Sequence, residues 1–107
     1  MHWFYLIAAG LFEAFWAITL KMSDGFSRVA PTIATFVGMA ISFYLLAKSL
    51  KVLPIGVGYA IWTGIGIIGT FVTSIILFHD TFTLGQALCV LLILAGIIGL
   101  RLLSPAV

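Results

Sequence analysis

Long apolar runs separated by short polar segments define this chain. Four such runs, at about 3–20, 32–49, 55–78 and 84–103, are each long enough to cross a bilayer as a helix. The segments between them hold most of the charged and turn-forming residues, and none is long enough to fold on its own. The pattern predicts an all-α membrane protein with a single four-helix transmembrane domain over residues 1–107.

Composition supports this class and excludes others. Of the 107 residues, 64% are hydrophobic and 7% are charged, whereas a soluble domain has about 25% charged residues. The net charge of +2 is too small and too scattered for nucleic-acid binding. The single cysteine, Cys89, excludes an internal disulfide and a multi-cysteine metal site. No nucleophile–base pair, metal cluster or phosphate loop indicates an enzyme, and we expect no cofactor.

Glu13 is the one carboxylate inside any of the four runs. A charge near the middle of a span costs about 2.5 kcal/mol or more, so it usually faces a cavity and has a function. On a helix, Gly10 and Trp16 lie on the face of Glu13, at i−3 and i+3. Glycine leaves space there, and tryptophan supplies an aromatic wall. We therefore predict a functional site around Glu13. The alternative is a protonated carboxyl that serves only helix packing.

The second span carries a stripe of small and polar residues. Thr35, Gly38, Ser42 and Ser49 recur at spacings of three, four and seven, which places them on one helix face. Such a stripe suits close helix packing. Ser42 also lies at about the depth of Glu13, so packing and a role in the site are both open for it.

The third span is rich in glycine and has no charge. Gly64 and Gly66 stand at its middle, where they permit a bend or a close helix contact. Tyr59 and Trp62 lie three residues apart on one face. Such a pair is often core packing, lipid-facing or part of an interfacial belt. The Tyr59 hydroxyl nevertheless needs a partner away from water, which the carboxylate of Glu13 could supply.

The fourth span begins with a capping signal and continues as a seam of small residues. Thr83 and Gln86 match the capping-box pattern at a helix start. The seam residues recur at spacings of four and three and are Gly85, Cys89, Leu92, Gly96 and Gly99. Transmembrane helices approach closely through such positions, so we predict a dimer seam, with Cys89 as a packing residue.

Basic residues are divided almost evenly between the two sides of the membrane. Lys48, Lys51 and Arg101 would lie on one side, and Lys21 and Arg28 on the other. Three against two specifies no orientation under the positive-inside rule, so the chain could insert both ways. A chain this small would have difficulty enclosing a polar cavity alone. Two copies in opposite orientation would form an inverted repeat of the kind that transporters use.

The segment 53–66 reads Leu-Pro-Ile-Gly-Val-Gly-Tyr-Ala-Ile-Trp-Thr-Gly-Ile-Gly. With the four spans and Glu13, it resembles the small multidrug resistance family over essentially the whole chain. The segment 13–17, Glu-Ala-Phe-Trp-Ala, followed by Lys21, resembles that family's guanidinium-exporter subtype. Two departures from the usual residues are Arg101 in place of Lys and Phe15 in place of Val.

The resemblance implies a multi-pass protein of the inner (plasma) membrane that works as an antiparallel dimer and exchanges protons for a cation. It implies that Glu13 is the ligand shared by the proton and the cation. The residues it implies as lining the site are Gly10, Trp16, Ser42, Tyr59 and Trp62. The pair His79-Asp80 resembles one of the family's paired heterodimer subunits, so a homodimer and a heterodimer with a paralogue both stay open.

Guanidinium suits these residues on chemical grounds. Its planar fork of donors matches a carboxylate bidentately, and Trp16 and Trp62 could stack on its faces at about 0.5–2 kcal/mol per contact. We predict a proton-coupled antiporter that exports guanidinium and small guanidinyl cations. The main alternative is a broad exporter of quaternary ammonium or lipophilic cations. A passive channel would need a polar row along a span, and a structural subunit would not need Glu13.

Overall fold

A computed structural model describes residues 2–103, and all four predicted spans are helices in it. In chain order they are α1, His2–Met22; α2, Val29–Ser49; α3, Ile55–Phe78; and α4, Leu84–Leu103. Each is long and apolar enough to cross a membrane, so the prediction of four transmembrane helices is confirmed. Residue 1 and residues 104–107 lie outside the described part, and the organisation of residues 1–107 as a single domain stays a prediction.

The start of α2 differs from the pattern-based estimate. The helix begins at Val29, three residues before the span estimated from position 32. Pro31 explains the difference, because it stands in the first turn, where a helix needs no backbone N–H and a fixed φ is favourable. Pro31 therefore belongs to the first turn of α2 and not to the loop before it.

Helix α1 is the centre of the packing. It contacts both α2 and α3, whereas α4 packs mainly on α3 and meets α1 through Arg101, whose guanidinium lies 4.6 Å from the ring centroid of Trp3. The buried hydrophobic cluster consists of Leu6, Ala9, Leu53, Ile61 and Trp62. This cluster lies where the first half of α1, the first half of α3 and the loop after α2 meet.

The stripe predicted on α2 is its packing face. The buried residues of this helix are Thr35, Gly38, Ser42 and Ser49. A Cβ at Gly38 would lie 2.8 Å from the ring of Phe15 and 3.0 Å from the Cβ of Trp16, so the absent side chain lets α1 approach. Thr35 shares a hydrogen bond of 2.8 Å with Thr19 across the same contact. The packing interpretation of the stripe is confirmed.

Local signals at the loops are also confirmed. The turn-forming residues expected between the first two spans include Asp24 and Gly25, which both have left-handed φ angles, of 50° and 70°. At the start of α4, the Thr83 N–H donates to the Gln86 side chain at 3.0 Å, and the Gln86 N–H donates to the Thr83 hydroxyl at 3.1 Å. This reciprocal pair is the predicted capping box.

Helix α4 has no buried residue, although every one of its positions is within the described part. Cys89 and Gly96 are exposed and Gly99 is half-buried. A Cβ built on Gly96 or Gly99 would have no neighbour within 4 Å. The small-residue face is therefore unpacked within the protomer, and its role as a dimer seam stays a prediction, together with Gly85.

Candidate functional site

A cavity of about 500 Å³ lies between α1 and α3 and extends to the loop after α3. Its lining residues are Glu13, Trp16, Ala17, Ile18, Lys21, Gly66, Ile67, Thr70, Phe71, Ser74, Phe78 and Asp80. A second groove of about 540 Å³ lies elsewhere along the same two helices, but no charged residue lines it among those described. The cavity that contains Glu13 is therefore the candidate functional site.

The carboxylate of Glu13 enters this cavity through a gap left by a glycine. A Cβ at Gly66 would overlap the carboxylate group of Glu13, so α3 can pass the acidic side chain only because position 66 has no side chain. Oε1 of Glu13 is buried and accepts no hydrogen bond from the described residues. A buried polar atom without a partner is costly, and such groups are kept where function needs them.

Trp16 lies one turn further along α1 and lines the same cavity. Its Nε1 is also buried and donates to no acceptor in the described part of the chain. Glu13 and Trp16, which were predicted to share one face of α1, therefore line the same cavity. The hydroxyl of Thr63, one turn before Gly66, is the third buried side-chain atom without a described partner.

Ser42 ties the first three helices together. Its hydroxyl donates to the Ala9 carbonyl at 2.7 Å and accepts the indole N–H of Trp62 at 3.0 Å. Ser42 is fully buried and Trp62 is 7% exposed. Each such bond contributes about 1 kcal/mol, and loss of one partner would leave the other buried and unpaired. Ser42 thus has a structural role in the protomer, whether or not it also contacts a substrate.

Gly10 and Tyr59 lie near this tie and not on the Glu13 cavity. Gly10 is buried, and a Cβ there would overlap Ile65 of α3, so its small size serves the α1–α3 contact. The ring of Tyr59 packs against Trp62 with centroids 5.6 Å apart, and Tyr59 is 56% exposed. A role for either residue in lining a substrate site stays a prediction.

Phe43, which the sequence did not single out, connects the two groups of aromatic residues. Its ring centroid lies 6.5 Å from that of Trp16 and 5.8 Å from that of Trp62. The aromatic contacts thus continue from the Glu13 cavity to Trp62, which donates a hydrogen bond to Ser42.

Several lining residues were missed because each carries a weak signal alone. Gly66, Thr70 and Ser74 are spaced by four on α3, which puts them on one face. Lys21 follows Glu13 by eight residues on α1 and reaches the same cavity. The regular spacing of small and polar residues on α3 was the available signal, but its mid-span glycines were interpreted only as permitting a bend or a close helix contact.

These features define a class of protein: a small multi-pass membrane protein in which a carboxylate and an indole line a cavity within the spans. No group of three or more potential metal ligands occurs among the residues that the structure describes. A carboxylate beside an aromatic face is suited to a small organic cation.

Comparison with known proteins identifies the family. The family described as Small Multidrug Resistance protein matches residues 1–93. A guanidinium exporter of Yersinia pseudotuberculosis is 53% identical over 104 residues, covering 97% of this chain and all of that protein. A guanidinium exporter of Salmonella typhimurium is 48% identical over 102 residues, covering 95% of this chain and 97% of that protein. An uncharacterized membrane protein of Bacillus subtilis is 48% identical over 106 residues, covering 99% of this chain and all of that protein.

The chain belongs to the small multidrug resistance family. It is accordingly a transport protein of the inner membrane with four membrane-spanning helices.

Proposed function

We propose that this protein exports guanidinium and small guanidinyl cations in exchange for protons, with Glu13 as the ligand that both share. The observation that carries the proposal is the cavity in which the unpartnered Oε1 of Glu13 lies beside Trp16. The guanidinium exporters at 48–53% identity over nearly the whole chain support the choice of cation.

The chemistry of guanidinium fits this pair of side chains. Its N–H groups form a rigid fork that can donate two hydrogen bonds to one carboxylate. The indole of Trp16 offers an aromatic face, and a cation–π contact contributes about 0.5–2 kcal/mol. A quaternary ammonium has no N–H donor, so it would gain only charge and aromatic contacts in the same place.

Competition for one carboxylate can couple the two fluxes. A protonated Glu13 has no charge with which to hold a cation, and a cation bound to Glu13 excludes the proton. If only the loaded forms of the protein reorient across the membrane, each cation exported requires protons to be taken up. The coupling then needs no second titratable site within the membrane.

The transporting unit in this proposal is an antiparallel dimer. The exposed small-residue face of α4 supplies a surface for a second copy, and the near balance of basic residues permits both orientations. A homodimer is the simplest form, and a heterodimer with a paralogue is the alternative.

Both orientations should be present in one membrane. In a Cys89→Ala background, Val52→Cys and Thr81→Cys place a thiol in an exposed loop on opposite sides of the membrane. Neither change alters the Lys/Arg count. A membrane-impermeant maleimide added from outside should label about half of each variant. Full labelling of one loop and none of the other would show a fixed orientation, as expected for one subunit of a heterodimer.

Selectivity tests the proposed substrate directly. In proteoliposomes with a pH gradient, the wild type should transport guanidinium in strong preference to tetramethylammonium. Trp16→Gly removes bulk from the cavity, so it should weaken that preference and admit larger cations, because specificity here rests partly on steric exclusion.

Phe15→Gly is the matched control for that substitution. It introduces glycine into the same helix and removes a ring that lines the other groove, so the preference for guanidinium should persist. Equal transport of tetraphenyl-type cations and guanidinium by the wild type would instead favour the broad exporter of lipophilic cations.

A further inference from the structure

The cavity at Glu13 is not confined to the middle of the membrane. Lys21 also lines it and follows Glu13 by eight residues on α1, which corresponds to about 12 Å along a helix. On the facing side, Thr70 and Ser74 of α3 supply polar groups between the depth of Glu13 and the end of the helix. The cavity therefore continues toward the membrane face that holds the loops after α1 and α3.

A turn in the chain brings Asp80 to the end of this cavity. His79 ends α3 in the left-handed conformation, with φ 55° and ψ 33°. The backbone N–H groups of His79 and Asp80 both donate to the carbonyl of Ser74, at 3.4 Å for Asp80. The reversed chain thus places Asp80 on the cavity lining instead of leading it away from α3.

We call the end of the cavity at the loops after α1 and α3 its mouth. The second charged residue at the mouth is Lys21, which lies against an aromatic ring. The ammonium of Lys21 lies 5.8 Å from the ring centroid of Phe78, which also lines the cavity. The mouth therefore combines one carboxylate, one ammonium and one aromatic face. A guanidinium cation can pair with the carboxylate of Asp80 and can compete with Lys21 for the face of Phe78.

We propose that this extension is an access path for the cation, in which Asp80 attracts the cation at the mouth before it reaches Glu13 and Lys21 opposes its entry. The identity of the cation rests on the proposed function. The residues of the path are those that line the cavity. A charge at the mouth of a cleft with apolar walls concentrates ions of opposite sign and speeds their entry. Its effect weakens as salt is added.

Asp24 provides a matched control for Asp80. It is an exposed aspartate in the loop after α1, at the same membrane face, and it does not line the cavity. Asp24→Asn and Asp80→Asn change the total charge equally and differ only in position. Arg28, exposed on the same face, is the corresponding control for Lys21.

The first experiment measures the electrostatics of the path without any assumption about the substrate. Ser74→Cys in the Cys89→Ala background places a thiol inside the path. It should react faster with a positively charged methanethiosulfonate than Thr73→Cys, which lines the apolar groove instead. Asp80→Asn should lower the ratio of cationic to anionic reaction rates at Ser74→Cys by about threefold or more, and Asp24→Asn should leave it unchanged.

The second experiment measures guanidinium transport in proteoliposomes. At low ionic strength Asp80→Asn should raise the KM for guanidinium by about threefold to tenfold with little change in maximal rate. Lys21→Gln should lower the KM, whereas Asp24→Asn and Arg28→Gln should have no effect. The difference between Asp80→Asn and the wild type should shrink at high salt.

The outcomes separate the two proposals. Equal effects of Asp80→Asn and Asp24→Asn, or a Ser74→Cys thiol that reacts no faster than Thr73→Cys, would overturn the access path. A path confirmed by the thiol rates in a protein that transports no guanidinium would leave the path standing and refute the proposed substrate.

Discussion

Glu13→Gln should abolish uphill transport of guanidinium while the protein remains folded. The amide is nearly the same size as the carboxyl group, but it carries no charge and cannot exchange a proton. Charge-assisted hydrogen bonds are each worth about 1.5–3 kcal/mol, so the loss of a bidentate pair would weaken cation binding by about a hundredfold or more. Uptake driven by a pH gradient in proteoliposomes measures the effect.

One observation and one control variant keep this test free of a folding artefact. Oε1 of Glu13 accepts no hydrogen bond from the described residues, so the substitution removes no bond made by that atom within the protomer. Glu13→Asp is the matched variant, because it keeps the charge and the exchangeable proton and only shortens the side chain. It should retain coupled transport at a reduced rate. Guanidinium driven uphill by Glu13→Gln would show that the coupling site lies elsewhere.

Gly66→Ala should have an effect nearly as large, although it changes no charge. The new Cβ would overlap the carboxylate of Glu13, so either α3 must move away or the acidic side chain must leave its position. Displacement of a binding group by about 1 Å can lower a rate by about a hundredfold. We expect guanidinium uptake to fall by at least about tenfold.

Gly56→Ala is the control for this substitution. It lies in the same helix, and a Cβ there has no neighbour within 4 Å. Alanine is favoured over glycine in a helix by about 1 kcal/mol, so Gly56→Ala should be at least as stable as the wild type and equally active. Uptake rates with melting temperatures of both variants distinguish a local clash from a general effect of alanine. Wild-type uptake by Gly66→Ala would contradict the assigned position of the carboxylate.

Features that depend on helix periodicity were predictable from the sequence. Glu13 and Trp16 share a face because they are three residues apart, and they line one cavity. The α2 stripe was readable for the same reason, since its members recur every three, four or seven residues. The capping box of α4 involves residues three apart and needs no tertiary information.

Contacts between helices could not be predicted in the same way. The overlap of position 66 with Glu13 depends on how α1 crosses α3, which no spacing within either helix specifies. Trp62 was predicted to stack on a cation, but in the protomer its indole N–H is committed to Ser42. That bond requires α2 and α3 to have one particular relative height.

Asp80 was out of reach for a different reason. The turn that brings it to the cavity depends on a left-handed histidine at position 79, and non-glycine residues adopt that conformation rarely. Neither the loop composition nor the charge pattern indicates such a turn. The turn is evident only from the backbone conformation at His79.

The peripheral position of α4 has a consequence for how this protein can diversify. The helix packs mainly on α3, meets α1 only near its end through Arg101 and Trp3, buries none of its residues, and contributes none to the cavity that contains Glu13. In the proposed dimer, substitutions along its outer face would change which chain it associates with in the bilayer while the proposed cation site keeps its geometry. Gene duplication followed by divergence of this one helix could separate a self-associating protein into two mutually dependent subunits with an unaltered transport site.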